Sequence, residues 1–374
     1  MEKLIGKICD EYNFIDMEYK EENGRQLLYT ERGLHYLHSC PPAYKHKGFL
    51  VEKVIDAIQS NCSLEVLPVC KTREGGVHLK YDDKLYYLQE GLRETNVEEH
   101  YYLLGKTLAE FHKATCSCGW DKLYTPYRSN GSWNSMWEKK CKEYEEFLDD
   151  LDELECYSEL DVYLLTMFNY VNQLGKTAIK YLDNNGFRKM VPQIAKHGKI
   201  AFQNFQEGHI LFHESGSCYL AGQYSWVLDI RTRDIGQGIK CLIRKHGWNE
   251  EHVIQFLKGY NCVAELYKEE YAFIYAILLY PSKFLKSVED YSVLSVEERE
   301  QLGEEWKTGL EKELVLMEHV LGEYPQVIAE HFTVTIPEIN WLWRFSRNDE
   351  KTICIRDEES FGRSFESSYF VRHD

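Results

Sequence analysis

Residues 200–236 constrain the fold of this chain more than any other segment. Short apolar stretches alternate there with polar loops, and a turn signal at 214–216 separates two of them. Long amphipathic patterns enclose the segment, because apolar residues recur at helical intervals over 97–111 and again over 159–182. These patterns predict a small β element inside a mainly helical unit.

The first 90 residues follow a different pattern. Residues 27–30 and 34–37 are strand-like and flank a hairpin turn, and an amphipathic stretch at 48–61 predicts one helix. Further strand-like stretches occupy 66–69, 77–81 and 84–88. The predicted organisation is a small N-terminal lobe over 1–90, a large helical lobe over 91–331 and a C-terminal appendage over 332–374.

Two capping-box patterns predict where helices of the large lobe begin. Thr95 is followed three residues later by Glu98, and Ser295 is followed in the same way by Glu298. At this spacing the hydroxyl and the carboxylate each accept a hydrogen bond from the other residue's backbone N–H. The helix over 159–182 is predicted to end at 185–186, where Asn-Gly is a typical C-cap signal.

Charge and composition exclude several classes of protein. Lys and Arg total 44 and Asp and Glu total 61, which gives a net charge of −17 with His neutral. Because nucleic-acid binding needs a concentrated positive face, we expect no nucleic-acid partner. The longest apolar run, near 273–280, is too short for a membrane span, and the N-terminus lacks a signal-peptide pattern, so synthesis in the cytosol is expected.

Other motifs of the sequence are read as structural. The 12 cysteines are dispersed from Cys9 to Cys354, which argues against a disulfide scaffold and against a zinc site. Two Gly-Lys-Thr sequences, at 105–107 and 175–177, lie inside helical patterns and lack the leading glycine of a phosphate-binding loop.

The spacing within 200–236 is that of a kinase catalytic loop followed by its metal-binding loop. In kinase-like phosphotransferases a catalytic Asp is followed five positions later by a magnesium-binding Asn, and thirteen positions after that by a magnesium-binding Asp. Counted from the strand pattern at 210–212, these positions fall on Asn204, His209 and Gly222. A second register, based on 197–199, gives the wrong distance to the next loop and is rejected.

Several motifs together resemble the CotS spore coat family, whose members are similar to aminoglycoside phosphotransferases and choline kinases. The resemblance spans most of 25–325 and is carried by 84–91, 103–115, 202–205, 229–235 and 266–291. It implies an α+β, two-lobed, protein-kinase-like (aminoglycoside phosphotransferase-like) fold. In that fold a small β-rich N-lobe precedes a larger, mainly helical C-lobe that contains a degenerate catalytic loop at 200–236.

Within this resemblance, four positions that serve phosphoryl transfer hold other residues. The strand-three lysine position is His38, the catalytic Asp is Asn204, the metal-binding Asn is His209, and the metal-binding Asp is Gly222. Phosphoryl transfer needs a lysine on the phosphates and Mg²⁺ held by hard oxygen ligands. We therefore expect no catalytic residues, no bound metal and no cofactor; ATP and Mg²⁺ are expected only if the chain retains phosphotransfer.

Two aspartates keep the places that the resemblance assigns to them. Asp229 and Asp234 match the family's Asp-x-x-x-x-Asp tail, and we expect both to be structural. Asp234 in particular is expected to accept backbone hydrogen bonds that hold the degenerate loop. Whether Asp229, Glu207 or Glu214 replaces a lost metal ligand stays open at this level.

The leading functional hypothesis is a spore coat-associated pseudokinase, a structural or assembly protein that does not transfer phosphate. Its expected partners are other spore coat proteins, and its expected location is the cytoplasm of the sporulating mother cell and then the coat. One alternative is a nucleotide or metabolite sensor that binds between the lobes. Another is a divergent small-molecule phosphotransferase that uses Glu207 or Asp229. The aromatic tail, 341–370, either docks another coat protein or packs on its own large lobe.

Overall fold

The computed structural model describes residues 2–22, 25–118, 122–152 and 157–337, together with Ile339 and Trp341. The small lobe is built on a five-stranded antiparallel sheet in the order β1-β2-β3-β6-β5. Its elements are α1 (Glu2–Tyr12), β1 (Met17–Glu22), β2 (Arg25–Thr30), β3 (Gly33–Cys40), α2 (Gly48–Asn61), β4 (Glu65–Val66), β5 (Leu79–Tyr81) and β6 (Lys84–Glu90). The strand β4 lies outside this sheet.

The two faces of this sheet serve different purposes. Because side chains alternate along a strand, β3 directs Leu37 to one face and Tyr36 and His38 to the other. Leu37 packs with residues of α1 in one apolar cluster, whereas Tyr36 belongs to a second cluster that includes Leu211 of the large lobe. One face therefore binds α1, and the other faces the large lobe.

The large lobe is mainly helical, with two short antiparallel strand pairs. Its helices are α3 (His100–Ala114), α4 (Trp133–Asp152), α5 (Glu159–Asn184), α6 (Phe187–Ile194), α7 (Thr232–His246), α8 (Glu250–Asn261), α9 (Lys268–Leu279), α10 (Ser282–Ser292) and α11 (Val296–Phe332). The strand β7 (Ile200–Phe202) pairs with β10 (Trp226–Leu228), and β8 (Ile210–Phe212) pairs with β9 (Cys218–Leu220). The two-lobed α+β prediction is confirmed.

Several local predictions are confirmed at the level of single residues. The helix expected over 48–61 is α2, and α5 is followed by Gly186 in the left-handed conformation, at φ 75°. Ser295 caps α11 with the expected capping box, in which Ser295 and Glu298 bond each other's backbone N–H. The turn predicted at 214–216 joins β8 to β9, with Gly216 at φ 83°. The two Gly-Lys-Thr sequences lie within α3 and α5.

Two predictions about element boundaries are wrong. The capping box expected at Thr95 does not form: α3 begins at His100 after a left-handed Glu99, and the Thr95 N–H instead donates to the Phe212 carbonyl at 3.0 Å. The strand expected at 66–69 shrinks to β4, which pairs in parallel with β9 of the large lobe. In both places a backbone bond to a distant segment outweighs the local pattern.

None of the helices in the described ranges combines the length and the apolar character that a bilayer crossing requires. The part of the aromatic tail beyond Trp341 lies outside the described residues. The tail's described beginning packs on the large lobe, where Trp341 contacts Tyr170 with ring centroids 6.2 Å apart.

A buried ion pair joins α7 to α9 in the interior of the large lobe. The guanidinium of Arg231, just before α7, donates to both carboxylate oxygens of Glu270, at 3.0 and 2.6 Å, and both side chains are fully buried. The Thr232 hydroxyl and the Tyr267 N–H also donate to Glu270, at 2.7 and 3.0 Å. All of these groups are donors to the Glu270 side chain.

Removing this carboxylate should strongly destabilise the large lobe. We expect Glu270→Ala to lower the free energy of unfolding by about 3–5 kcal/mol, because the Arg231 charge would stay buried without its partner. Urea unfolding followed by circular dichroism measures the change, with Glu269→Ala in the same turn as the control. A loss no larger than that of the control would show that water or relaxation compensates Arg231.

Candidate functional site

The four positions singled out by spacing lie around the junction of the two lobes. His38 is on β3, Asn204 is exposed in the turn after β7, His209 directly precedes β8, and Gly222 follows β9. His209 and Gly222 are in contact: a Cβ added to Gly222 would lie 2.6 Å from His209 Cδ2 and 2.9 Å from its Nε2. The imidazole therefore occupies the space that a side chain at position 222 would need.

The His209 ring is held in place from two sides. Its Nδ1 accepts a hydrogen bond from the Gln206 N–H at 3.0 Å, so the proton of the neutral ring lies on Nε2. The ring also stacks on Phe202, with centroids 4.6 Å apart. Because both contacts fix its orientation, the ring has little freedom to move away from Gly222.

Both histidines of the site are uncharged at neutral pH. Burial lowers the pKa of His38 to about 4, and burial together with the nearby His38 lowers the pKa of His209 to about 3. In the resemblance these two positions hold the phosphate-binding lysine and a magnesium ligand. Two neutral imidazoles therefore stand at these positions.

A pair of buried amides fastens the Gly222 loop to the small lobe. Gln89 of β6 accepts from the Gly222 N–H at 2.8 Å, and its amide nitrogen donates to the Leu67 carbonyl at 3.0 Å and to the Gln223 side-chain oxygen. Gln223 also donates to Leu67, at 3.3 Å. Both amides are almost fully buried, so these bonds are formed in a region from which water is excluded.

Tyr36 closes the other side of the junction. It lies two residues before His38 on β3, and its hydroxyl donates to the Leu92 carbonyl at 2.7 Å and accepts from the Leu92 N–H at 3.3 Å. Leu92 belongs to the segment that connects the lobes. Its two main-chain polar groups are therefore bonded within the protein, and the Tyr36 ring packs with Leu27 and Leu211 across the junction.

Arg25 of β2 reaches from the small lobe to the catalytic loop. A Cβ added to Gly208 would lie 2.4 Å from Arg25 Nε, and the guanidinium pairs with Glu94 at 2.7 Å. It also lies over the Tyr36 ring, 5.8 Å from the centroid. A basic side chain thus lies across the loop that the spacing identifies as catalytic.

Asp234 connects β7 to the helices beneath it. Its carboxylate accepts from the Phe202 N–H at 2.9 and 3.0 Å and from His112 Nε2 at 3.0 Å. Burial holds the pKa of His112 well below its usual range, so the neutral ring accepts at Nδ1 from the Tyr260 hydroxyl at 2.7 Å. Asp234 and the groups around it are fully buried.

The carboxylates considered as substitute metal ligands have protein partners. Asp229 is buried and accepts from Trp133 Nε1, the Ile230 N–H and Arg233, the closest distances being 2.9, 2.8 and 2.8 Å. Burial raises the pKa of Asp229 although Arg233 opposes the shift.

Glu207 accepts from His100 at 2.6 Å and from Lys245 at 2.9 Å. Burial alone would raise its pKa, but these bonds lower it to about 2. Glu214 is exposed in the turn between β8 and β9.

Lys47, which the sequence analysis did not single out, is buried next to the same loop. Its Nζ donates to the carbonyl of Tyr224 at 2.7 Å and lies 3.8 Å from the Tyr44 ring centroid. Burial lowers the pKa of Lys47 to about 7. The start of α2 is thereby joined to the segment that follows Gly222.

Sequence reasoning missed the residues that fill the junction. Their positions in the sequence carry a weak signal of a role in the site. Tyr36 and Gln89 alternate into the same sheet face as His38, and Gln223 directly follows Gly222. Their bonding partners, however, are 56 and 134 residues away along the chain. Local patterns carry no information about such pairs.

The described residues have the fold of the aminoglycoside phosphotransferases. A solved aminoglycoside phosphotransferase from Alicyclobacillus acidocaldarius subsp. acidocaldarius DSM 446 matches with a TM-score of 0.58 and 14% identity, over 82% of this chain and 92% of that chain. A likeness at this identity concerns the fold alone.

Residues 6–324 match the family described as spore coat putative kinase YutH, and the chain belongs to that family. It is 24% identical over 285 residues to the endospore coat-associated protein YutH of Bacillus subtilis (strain 168), which covers 74% of this chain and 79% of the relative. It is 22% identical over 303 residues to spore coat protein S of the same organism, over 76% and 82% respectively. The predicted spore coat family with a kinase-like fold is confirmed.

The contact between Gly222 and His209 can be tested by adding a single methyl group. Gly222 and Gly216 both have positive φ, at 74° and 83°, but nothing lies within 4 Å of a Cβ at Gly216. We expect Gly216→Ala to cost about 1 kcal/mol for the backbone conformation. Gly222→Ala should cost about 1–3 kcal/mol more, because the His209 ring must move. If both variants lose the same free energy of unfolding in chemical denaturation, the His209 ring moves without cost and the prediction is wrong.

Lys47 should make stability depend on pH above neutrality. Its pKa is about 7 when folded and 10.5 ordinarily, so between these values the unfolded chain binds more protons and stability rises with pH. We expect Lys47→Met to reduce that rise by up to about 1.4 kcal/mol per pH unit. Urea unfolding between pH 7 and about 9.5 measures the slope. The exposed Lys53→Met variant of α2 is the control, and an identical slope in the two variants would contradict the effect of burial.

Proposed function

We propose that this chain is a pseudokinase of the spore coat, a structural or assembly component that transfers no phosphate. The observation that carries the proposal is the packing of His209 against Gly222, with Gln89 bonded to the Gly222 N–H. In kinase-like enzymes the corresponding loops hold the metal ions that neutralise the transferring phosphate. Here the two loops contact each other through neutral groups.

The residues at this position do not fit magnesium. Mg²⁺ demands octahedral oxygen ligands, usually with one or two carboxylates among them. Gly222 has no side chain, and His209 offers an imidazole whose Nδ1 already accepts from Gln206. Asp229 and Glu207, the candidates for replacement, are bonded to Arg233 and to Lys245 respectively. Moving either carboxylate to the loop would leave a basic side chain without its partner.

The space between the lobes beside Leu92 contains the protein's own side chains. Tyr36 bonds both main-chain groups of Leu92, and its ring packs against Leu27 and Leu211. A base that entered between the lobes would have to displace this ring and break two hydrogen bonds. These contacts favour a scaffold over the alternative of a nucleotide sensor.

The coat context rests on the relatives. The names of YutH and spore coat protein S of Bacillus subtilis place both relatives in the endospore coat. For this chain we propose the same destination, with synthesis in the sporulating mother cell and other coat proteins as partners. The large lobe keeps its buried Asp234 network and its Arg231–Glu270 pair, so a stable surface for assembly persists without the catalytic groups.

Nucleotide binding and phosphate transfer test the absence of activity. We expect no rise in thermal midpoint with millimolar ATP, ADP or GTP, with or without Mg²⁺, because a ligand that binds the native state must raise it. We also expect no label transfer from γ-labelled ATP to aminoglycoside, choline or aminopropanol acceptors. A Mg²⁺-independent midpoint rise would identify a sensor. Transfer that is lost in Asp229→Asn or Glu207→Gln would identify an enzyme.

Localisation in spores tests the coat assignment. A fluorescent fusion, expressed from its own promoter in the organism that encodes the chain, should form a ring around the forespore and co-purify with extracted coat. Asn204→Ala alters the exposed residue at the position that the resemblance assigns to the catalytic Asp. This variant should localise as the unaltered protein does, and the spores should show no defect. A diffuse mother-cell signal would contradict the coat role. A spore defect from Asn204→Ala with normal localisation would contradict the absence of catalysis.

A further inference from the structure

A cleft in the large lobe, far along α7 from the Asp234 end, has the features of a separate binding site. It lies between α7, the α9–α10 junction and α11, and its cavity volume is about 30 Å³. A water molecule needs roughly 10–15 Å³, so the cavity accepts a group of a few heavy atoms. Its apolar walls are formed by Ile243, Leu278, Phe284, Leu314, Met317 and Val320.

One basic side chain of this cleft is buried among those walls. Lys240 is 8% exposed, and its Nζ donates to the Tyr280 carbonyl at 2.7 Å and to the Ser282 hydroxyl at 3.3 Å. An ammonium group has three N–H donors, and among the described residues these are its two acceptors. Both acceptors are uncharged, so the buried ammonium has no directly bonded counter-charge there.

The charges around the mouth of the cleft are also mainly basic. Arg244 and Lys283 both bond to Glu313, at 3.1 and 3.2 Å. This carboxylate is thus shared between two basic groups before Lys240 is considered. In a chain with a net charge of −17, three basic side chains converge here around one carboxylate. Such an arrangement attracts an anion.

We propose that this cleft binds a short-chain monocarboxylate, whose carboxylate accepts from Lys240 and whose alkyl chain lies against the apolar walls. The carboxylate supplies the missing acceptor and a counter-charge for the buried amine. The apolar walls favour an alkyl substituent over the water shell of an inorganic anion. Because no part of the lobe junction contributes to the cleft, the proposal does not depend on the proposed function.

The proton balance of Lys240 is consistent with this ligand. Burial lowers the pKa of Lys240 to about 7, so near neutrality the empty cleft holds a mixture of the amine and the ammonium forms. A bound carboxylate favours the ammonium form. Binding is therefore accompanied by proton uptake, which calorimetry in buffers of different ionisation enthalpy detects.

Ligand-observed NMR on the full chain tests the proposal with propionate as the probe. We expect saturation transfer to the propionate methyl protons and a concentration-dependent rise in the thermal midpoint. Propionamide, which has the same shape without the charge, should give neither effect. Equal signals from propionate and propionamide, or no signal from propionate, would overturn the proposal. So would equal midpoint shifts from propionate and from inorganic phosphate, because the apolar walls would then play no part.

Three variants locate the binding. Lys240→Met replaces the buried amine with an apolar side chain of similar length and should weaken propionate binding about tenfold or more, as expected for loss of a charged hydrogen bond. Met317→Trp should fill the cleft and abolish the signal. Val315→Trp, on the same helix at a half-exposed position outside the cleft, should leave it unchanged. Retention of propionate binding in Lys240→Met would overturn the assignment even if Met317→Trp does not fold.

Discussion

The buried carboxylate of Asp234 is the interaction on which the arrangement of the site depends. It accepts hydrogen bonds from the Phe202 N–H and from His112, which in turn accepts from Tyr260. One side chain thereby fixes β7 relative to α3, α7 and α8. The loop that carries Asn204 and His209 starts where β7 ends, so its position follows from this anchor. If the Asp234 carboxylate lost these donors while it stayed buried, the penalty for an unsatisfied charge would exceed the net free energy of its hydrogen bonds. The network therefore holds as a unit.

The buried anchor and the positions that the resemblance assigns to catalysis differ in the groups that they bond to. Asp234 and Glu270 bond to protein groups, so their loss would destabilise the fold whether or not a ligand is bound. Carboxylates that hold a metal bond chiefly to the ligand, and the folded protein does not need them. A chain that does not catalyse a reaction can therefore lose its metal-binding carboxylates and keep the carboxylates that bond to protein groups. By the resemblance Gly222 stands at a metal-binding position, and Asp234, twelve positions later, is the buried anchor.

The sequence predicted what local periodicity and spacing encode. Helix α2, the capping box at Ser295 and the turn before β9 follow from short patterns. Counting residues singled out His209 and Gly222, which are in contact in the structure. Helix α1 and strand β1 were not predicted. Strand β1 gives a weak pattern because it consists largely of charged residues at the edge of the sheet. The contents of the junction were missed for a different reason. Tyr36 and Gln89 look like ordinary strand residues, and their roles come from partners that the fold brings near.

The altered positions form a consistent set when the cost of burying charge is considered. A lysine and an aspartate facing each other across a cleft are compensated by phosphate and metal, and without these ligands each becomes a charge with poor solvation. Contact between the lobes therefore favours neutral or paired groups. His38, His209 and Gln89 are neutral at pH 7, and the charge of Arg25 is paired with Glu94. Lys47 follows the same rule, since burial brings its pKa to about 7. Once one charge is lost, retaining the others is costly, so the substitutions are expected to occur together rather than singly.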